Sequence, residues 1–170
     1  MVGATTFEEL LSTCARTALK LELRDVYMTD DPGYRAWLAG DADGAVASYA
    51  NWTRTARAAV SRGVSMRRVR VVSTPVTQYV SFEHAITNQV NIAAGEVVRW
   101  LPRRFASSIC LPGNDVWVFD DRVAQFYHFA GDGAYLGDEV TEEPAVVRQC
   151  ANAFLTAWER ALDHYEFSVT

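Results

Sequence analysis

The sequence contains little cysteine and no long run of apolar residues. Its three cysteines, Cys14, Cys110 and Cys150, are odd in number and far apart, so they predict neither a disulfide framework nor a metal-binding set. We expect Cys14 and Cys150 to be small buried side chains on apolar helix faces. No stretch approaches the roughly 18 apolar residues that cross a membrane, and the N-terminal MVGATTFEEL lacks the basic and apolar segments of an export signal. These absences predict a cytoplasmic protein without a membrane span.

Lysine is nearly absent, since Lys20 is the only lysine among 16 basic residues. The 21 acidic residues give a net charge of −5, which argues against broad, sequence-independent nucleic-acid binding, so we expect no direct nucleic-acid partner. The arginines nevertheless crowd the middle of the chain, at Arg54, Arg57, Arg62, Arg67, Arg68, Arg70, Arg99, Arg103 and Arg104. Such a basic surface suits a homodimer, an acidic partner or an anionic ligand, and it equally suits a solvated face.

Motifs of the common catalytic and cofactor sites are missing as well. The chain has no glycine-rich dinucleotide-binding motif, Walker lysine, HExxH, CxxC or GxSxG. His84, His128 and His164 lie far apart along the chain, so we expect no metal and no cofactor. We interpret His128 as a partly buried structural side chain and His164 as a charge partner at the end of the last helix.

The most informative stretch, residues 64–104, predicts a strand, a helix and a second strand. Residues 68–73 alternate polar and β-branched side chains, and Pro75 follows soon after as a strand breaker. Apolar residues three and four apart then predict a helix to about Asn91. Residues 97–101 form the second predicted strand, which makes the whole stretch a βαβ unit.

The N-terminal part, residues 1–63, is predicted to be mostly helical. Thr5 or Thr6, with a glutamate three residues later, predicts a capping box at the start of the first helix. The alanine-rich sequence of residues 43–62 predicts one long helix. The alternating segment 21–27 leaves both a short strand and a helix end open.

The remainder of the chain predicts a β-meander followed by a helix. Two strands, at 115–120 and 122–129, form a hairpin, and residues 134–139 add a third strand. The aspartates at the hairpin ends are interpreted as ordinary turn residues rather than a cation site. A helix starts near Pro144, and its apolar positions extend to Tyr165.

These elements predict one domain, residues 1–170, of the α/β class, with α+β as the alternative. The expected parts are a helical region 1–63, a sheet-forming region 64–140 and a C-terminal helix region 141–170. The sheet is expected to be single and mixed, with one βαβ-like unit, a β-meander and the last helix packed on it.

Polar and charged residues of the central stretch are expected to converge near one edge of the sheet. The candidate ligand- or partner-binding residues are Arg70, Tyr79, Glu83, Glu96, Arg99, Arg103 and Arg104. Because partly buried arginine and glutamate need each other, one interpretation is a structural lattice of salt bridges. The other is a polar pocket for a small anionic or amphoteric ligand.

Five segments in order carry a family resemblance that covers nearly the whole chain. They are LELRDVY (21–27), RRVRVVSTPVTQYVSFE (67–83), NIAAGEVVRWLPR (91–103), LPGNDVWVFDDRVAQFYHF (111–129) and TEEPAVVRQC (141–150). This succession resembles the actinobacterial domain-of-unknown-function family 6879. Members of that family are commonly encoded beside helix-turn-helix regulators, so the resemblance implies a regulatory or accessory role.

Two looser resemblances concern the order of the elements. The second half of the chain is similar to the C-terminal sensing domain of those helix-turn-helix regulators. The strand-helix-strand-hairpin-helix order is also similar to a phospholipase-D-like half-domain. That family requires an HxK motif followed by an aspartate, and no HxK occurs in this sequence. The resemblance therefore does not extend to phosphodiester chemistry of that type.

Two hypotheses of function follow. The first is a non-catalytic regulatory module that binds a partner protein, namely a helix-turn-helix regulator, or a small anionic ligand. The absence of a nucleophile–base pair in the motifs favours it. The alternative is a small enzyme that acts on a phosphate- or carboxylate-bearing substrate through the arginine–glutamate set.

Overall fold

A seven-stranded mixed sheet organises residues 6–169, which are the residues that the structure, a computed structural model, describes. The strands are β1 (Thr17–Glu22), β2 (Ser65–Val72), β3 (Val97–Pro102), β4 (Asp115–Phe119), β5 (Val123–Phe129), β6 (Tyr135–Thr141) and β7 (Leu162–Asp163). The helices of the same region are α1 (Phe7–Thr13), α2 (Pro32–Leu38), α3 (Ala42–Ala47), α4 (Ala50–Ser61), α5 (Gln78–Val90) and α6 (Pro144–Arg160). The predicted α/β class with a single mixed sheet is confirmed.

The strand order is β6-β5-β4-β1-β2-β3-β7, with parallel pairing in the centre and antiparallel pairing at both sides. β2, α5 and β3 form the predicted βαβ unit. β4 and β5 form the predicted hairpin, and both turn residues, Asp120 and Asp121, have positive φ angles of 53° and 56°. A two-residue turn of this kind matches the twist of the flanking strands. β6 completes the predicted meander.

One face of the sheet is apolar and is covered by α6. Alternate residues of the central strands, such as Leu21 of β1 and Val69 and Val71 of β2, pack with Val147 and Phe154 of the helix. The period of two along a strand sends these side chains to one face and their neighbours to the other. The predicted packing of the C-terminal helix on the sheet is confirmed.

The opposite face carries charged side chains and faces α1, α4 and α5. Here the even-numbered residues of β1 and β2 include Lys20 and Glu22 on the first strand and Arg68 and Arg70 on the second. All four are buried. Charged side chains are almost never buried without partners, so this face is where a functional site is expected.

Several predicted boundaries differ from the structure. The long helix predicted over 43–62 is two helices, α3 and α4, with a break at Ser48 and Tyr49. Segment 21–27 is extended only as far as Glu22, the last residue of β1. The last helix ends at Arg160, because the chain then turns extended and pairs with β3 as β7.

The first helix begins with one of the two predicted capping boxes, the one formed by Thr6 and Glu9. The Thr6 side chain accepts from the backbone N–H of Glu9, and the Glu9 carboxylate accepts from the backbone N–H of Thr6. Thr5, the other predicted cap, lies outside the described residues. Cys14 and Cys150 are buried, as predicted. Across 6–169, each helix is too short or too polar to cross a bilayer.

Candidate functional site

A cavity of about 390 Å³ lies between the charged face of the sheet and helices α4 and α5. This volume is within the range of small-molecule sites. We call its polar base the charged floor, which consists of Lys20, Glu22, Arg68, Arg70 and Asp115. Its walls are largely aromatic, from Phe7, Tyr27, Tyr49, Trp52, Tyr79, Phe82, Trp117, Tyr127 and Phe129.

Strand register places four residues of the charged floor as neighbours. Lys20 of β1 pairs with Arg68 of β2, and two residues further along Glu22 pairs with Arg70. Side chains at such positions point to the same face of the sheet and lie within contact distance. Asp115 joins them from the first residue of β4, which pairs with the other side of β1.

Buried ion pairs connect the charged floor to the residues beneath and beside it. Arg68 pairs with Glu22, and its Nε lies 2.7 Å from Oε1 of Glu96. Arg70 Nε lies 2.8 Å from Oε2 of Glu22, and Arg70 NH1 lies 3.4 Å from Oε1 of Glu83. The two Arg70 contacts lack hydrogen-bond geometry. Arg68 is therefore paired through hydrogen bonds, whereas Arg70 is held by the charge of the two carboxylates and by its position over the Trp100 ring, 5.0 Å from the centroid.

The pKa values of the two glutamates that share Arg70 are shifted in opposite directions. Burial disfavours the charged form of Glu22, but Arg68, Arg70 and Lys20 outweigh that effect and lower its pKa. Burial raises the pKa of Glu83 to about 8, and Arg70 opposes this change only in part. Glu22 is thus held as a carboxylate, while Glu83 is poised to carry a proton near neutral pH.

Asp115 is the second acidic group that the cavity favours in its neutral form. Its carboxylate accepts a 2.6 Å hydrogen bond from the Tyr27 hydroxyl and a 2.9 Å hydrogen bond from the backbone N–H of Leu23. Burial nevertheless raises the pKa of Asp115, with the nearby Lys20 acting in the other direction. The cavity therefore holds two protonatable carboxyl groups beside three cations.

Lys20 is the residue of the charged floor without a polar partner. Its side chain is buried, and within residues 6–169 its Nζ has neither a hydrogen bond nor an ion pair. The ammonium lies 4.1 Å from the ring centroid of Tyr127 and 5.7 Å from that of Trp117. Burial lowers the pKa of Lys20, while the charges of Asp115 and Glu22 raise it. An aromatic ring compensates a buried ammonium less fully than a carboxylate does.

The structure brings together some of the predicted site residues. Arg70, Tyr79 and Glu83 line the cavity, and Glu96 lies below it, where its second oxygen accepts a hydrogen bond from Asn91. Lys20, Glu22, Arg68 and Asp115 were absent from the predicted set. One feature of the sequence could have pointed to these residues, namely a single lysine between apolar neighbours, Leu19-Lys20-Leu21.

Three predicted site residues lie away from the cavity. Arg99 projects from the opposite face of β3, with its guanidinium carbon 4.3 Å from the Trp158 ring centroid, because strand alternation turns it toward α6. Arg103 donates to the backbone carbonyls of Leu23 and Val71 and pairs with Asp25 at 3.2 Å. Arg104 lies over the ring of Phe105.

One of the histidines, His164, does not have its predicted role. His164 lies beyond the end of α6 and is buried, so the prediction of a charge partner at the helix end was wrong. It accepts a 3.1 Å hydrogen bond from Trp100 and stacks on His84 at 4.4 Å between ring centroids. Burial, followed by the neighbouring His84, lowers the pKa of His164 to about 4. His128 is partly buried, as predicted.

The described residues contain no cluster of three or more His, Cys, Asp or Glu side chains that could hold a metal ion. The aspartates of the hairpin are used in two different ways. Asp115 lines the cavity, and Asp120 accepts three backbone N–H groups from the segment before β1. The chemistry available in the cavity is therefore that of an amine, two guanidinium groups and protonatable carboxyl groups.

Comparison with solved structures shows what the fold is similar to. Nuc from Salmonella typhimurium, a phospholipase D family member, is 11% identical, with 92% of this chain and 86% of that protein covered and a TM-score of 0.52. NucT from Helicobacter pylori is 9% identical, with 92% and 87% covered and a TM-score of 0.48. TrmBL2, an archaeal chromatin protein, is 15% identical, with 92% and 48% covered and a TM-score of 0.45.

The match to Nuc shows a shared fold and confirms the predicted likeness to a phospholipase-D-like arrangement of elements. No curated protein matches the sequence. A protein-family model described as Domain of unknown function (DUF6879) matches residues 5–169. The predicted family resemblance is confirmed over almost the entire chain, and the protein belongs to the DUF6879 family.

Proposed function

We propose that the protein is a ligand-binding module whose cavity takes a small molecule with a flat apolar body and an anionic group. The single observation that carries this proposal is the buried side chain of Lys20, which lines the cavity and has neither a hydrogen bond nor an ion pair within residues 6–169. A buried charge is costly unless it is paired. A ligand carboxylate or phosphate would supply the missing partner.

Other buried polar atoms of the residues that line the cavity lack a hydrogen-bond partner, and they comprise three donors and one acceptor, Oε2 of Glu22. The indole Nε1 of Trp52 and the guanidinium Nε and NH1 of Arg70 are buried and have no hydrogen-bond acceptor in the described part of the chain. Unsatisfied buried donors each cost about 1 to 3 kcal/mol. Because these donors outnumber the one unpaired acceptor among the lining residues of the described chain, they support a ligand that carries oxygen acceptors.

The charge balance of the site supports an anionic group on the ligand. Lys20, Arg68 and Arg70 bring three cations, and Arg68 is already paired with Glu22 and Glu96. Burial raises the pKa of Glu83 to about 8, so Glu83 supplies little of the negative charge that would balance these cations near neutral pH. A carboxylate or phosphate would replace the missing negative charge with one that is supplied only on binding.

The aromatic walls support a planar body. Trp52 and Trp117 lie 6.0 Å apart between ring centroids, and Phe7 lies within 5.7 Å of both. Each well-placed aromatic contact contributes about 0.5 to 1.5 kcal/mol beyond the area that it buries. A ring with an acidic substituent would use both the walls and the charged floor. The regulatory role and the helix-turn-helix partner stay predictions beside this proposal.

Thermal unfolding with benzoate and its neutral isostere benzamide tests the proposal. At about 100 times its Kd a ligand adds roughly 2.7 kcal/mol of stability, which for a chain of this length raises the Tm by about 5 to 10 °C. We expect saturable stabilisation by benzoate and little by benzamide.

Two variants test whether the stabilisation by benzoate arises at Lys20. Lys20→Met should abolish the response to benzoate, because it removes the unpaired cation but keeps the length of the side chain. Arg104→Gln, outside the cavity, should respond like the wild type. Equal responses to benzoate and benzamide, or an unchanged response in Lys20→Met, would contradict an anion site at Lys20.

A further inference from the structure

We propose that Lys20 is a reactive amine that forms an imine with an aldehyde or ketone bearing an anionic group. The inference rests on the proposed function, because such a ligand must first occupy the cavity. It differs from the non-covalent binding proposed above in that a covalent, hydrolysable bond to Nζ forms.

The choice of residue at this position supports the inference. Lys20 is the only lysine in the chain. The other 15 of the 16 lysine and arginine residues are arginine. An arginine stays protonated in proteins, but a buried lysine can lose its proton and become a nucleophile. Arginine occupies the adjacent positions Arg68 and Arg70. Within the charged floor, Lys20 alone therefore provides an amine that can react.

The surroundings of Lys20 make the free amine easier to form than at an exposed lysine, while the ammonium remains the form that attracts the anionic group. Tyr127 and Trp117 present ring faces, which compensate an ammonium less fully than a carboxylate does, and no carboxylate of the described residues forms an ion pair with it. Burial and the neighbouring charge of Arg68 lower the pKa of Lys20, against the opposing charges of Asp115, Glu22 and Glu96. A lysine pKa that is lower by one raises the fraction of free amine near neutral pH about tenfold.

The reaction needs only groups that the cavity and the ligand supply. Nζ attacks the carbonyl carbon, a carbon–nitrogen bond forms and the carbonyl π bond becomes a carbinolamine hydroxyl. Loss of that oxygen as water, with both hydrogens of the neutral amine, leaves the carbon–nitrogen double bond. No oxidant or reductant takes part.

The test uses 4-carboxybenzaldehyde as the probe and sodium cyanoborohydride to trap the imine at pH 7. Because the chain has one lysine, peptide mapping by mass spectrometry separates an adduct at Lys20 from one at the N-terminal amine. We expect Lys20 to be labelled faster in the native protein than in the chain unfolded in guanidinium chloride, because its pKa is lowered only in the folded state. Benzoate should protect Lys20, and uncharged benzaldehyde should label it more slowly.

Two results decide between formation of an imine and non-covalent binding alone. If benzoate raises the Tm but Lys20 is labelled no faster in the native protein than in the unfolded chain, the imine is ruled out and the ligand-binding proposal stands. If benzoate neither raises the Tm nor protects Lys20, and labelling is also slow, both proposals fail. Lys20→Arg is the control that keeps the charge, and it should give no adduct at position 20.

Discussion

Glu22 and Glu83 face the same guanidinium group, yet their pKa values move in opposite directions. Glu22 contacts both Arg68 and Arg70, whereas Glu83 contacts only Arg70, at 3.4 Å. Burial raises the pKa of Glu83, the charges of Glu22 and Asp115 add to that effect, and Arg70 and Arg68 offset it only in part. The balance between burial and the neighbouring charges therefore decides which carboxyl group of this site can carry a proton.

The pH dependence of stability should report on Glu83. Because its pKa in the folded protein, about 8, exceeds the value of an exposed glutamate, the folded state holds a proton that the unfolded state has lost. Its stabilising contribution is full below about pH 4.5 and is lost as the pH rises toward 8. A difference of one between the folded and unfolded pKa values corresponds to about 1.4 kcal/mol. We expect Glu83→Gln to flatten the fall in unfolding free energy between pH 5 and 8, measured by denaturant titration.

The control for that measurement is Glu142→Gln, which changes an exposed glutamate outside the site. It should keep the wild-type slope. A Glu83→Gln slope equal to that of the wild type would mean that Glu83 is ionised throughout this range and pairs with Arg70 as a carboxylate.

At the scale of elements, Asp120 connects the β4–β5 hairpin to the start of the central strand. Its carboxylate accepts hydrogen bonds from the backbone N–H groups of Ala15, Arg16 and Thr17 at 2.7 to 2.8 Å. These donors lie directly before and at the first residue of β1. The contact therefore helps to set where β1 begins, and with it the position of Lys20.

Asp120→Asn should destabilise the protein by about 2 to 4 kcal/mol, because an amide offers one acceptor oxygen and turns an NH₂ group toward backbone donors. Chemical denaturation measures the loss. Asp121→Asn is the matched control: the neighbouring aspartate has the same turn geometry but is exposed, so it should change stability by less than about 0.5 kcal/mol. Equal effects of the two substitutions would show that turn conformation, rather than the three hydrogen bonds, is what matters.

The C-terminal segment after α6 closes the sheet beside β3. Phe167 stacks on Trp100 at 5.2 Å between ring centroids, with 5° between the planes, and Trp100 is fully buried. Phe167→Ala should lower the free energy of unfolding by about 2 to 4 kcal/mol, because it removes the ring that packs on the Trp100 indole. Tyr165→Ala is the control, since that ring is 73% exposed. If thermal unfolding shows similar losses for both variants, the segment contributes through its backbone pairing alone.

At the scale of the whole molecule, the charged floor opposes stability. The side chain of Lys20 is buried on the central strands of the sheet without a hydrogen bond or an ion pair in the described chain, which is the pattern expected where function is retained at the expense of stability. We expect Lys20→Met, without ligand, to raise the Tm by about 2 to 4 °C for each kcal/mol gained. A lower Tm than that of the wild type would indicate that the cation–π contact with Tyr127 fully satisfies Lys20.

The sequence alone determined the local elements well. Residues 68–72 and 97–101 are in strands, the helix between them ends at Val90, and the hairpin turns at Asp120 and Asp121, in close agreement with the patterns. These features depend on periodicity and turn chemistry, which act between residues close in the chain. The break between α3 and α4 and the early end of α6 were missed, because tertiary packing and the pairing of β7 decide them.

The candidate site was predicted only in part for the same reason. Arg70, Tyr79 and Glu83 lie within one βαβ unit, so their proximity follows from nearby sequence. Lys20 and Asp115 reach the site only because β1 is inserted between β2 and β4, a pairing of segments almost a hundred residues apart. Arg99 was misplaced because the face that a strand residue occupies depends on the helices that cover each side. Strand order and the direction of each face are set by burial of the whole sheet, and no local pattern records them.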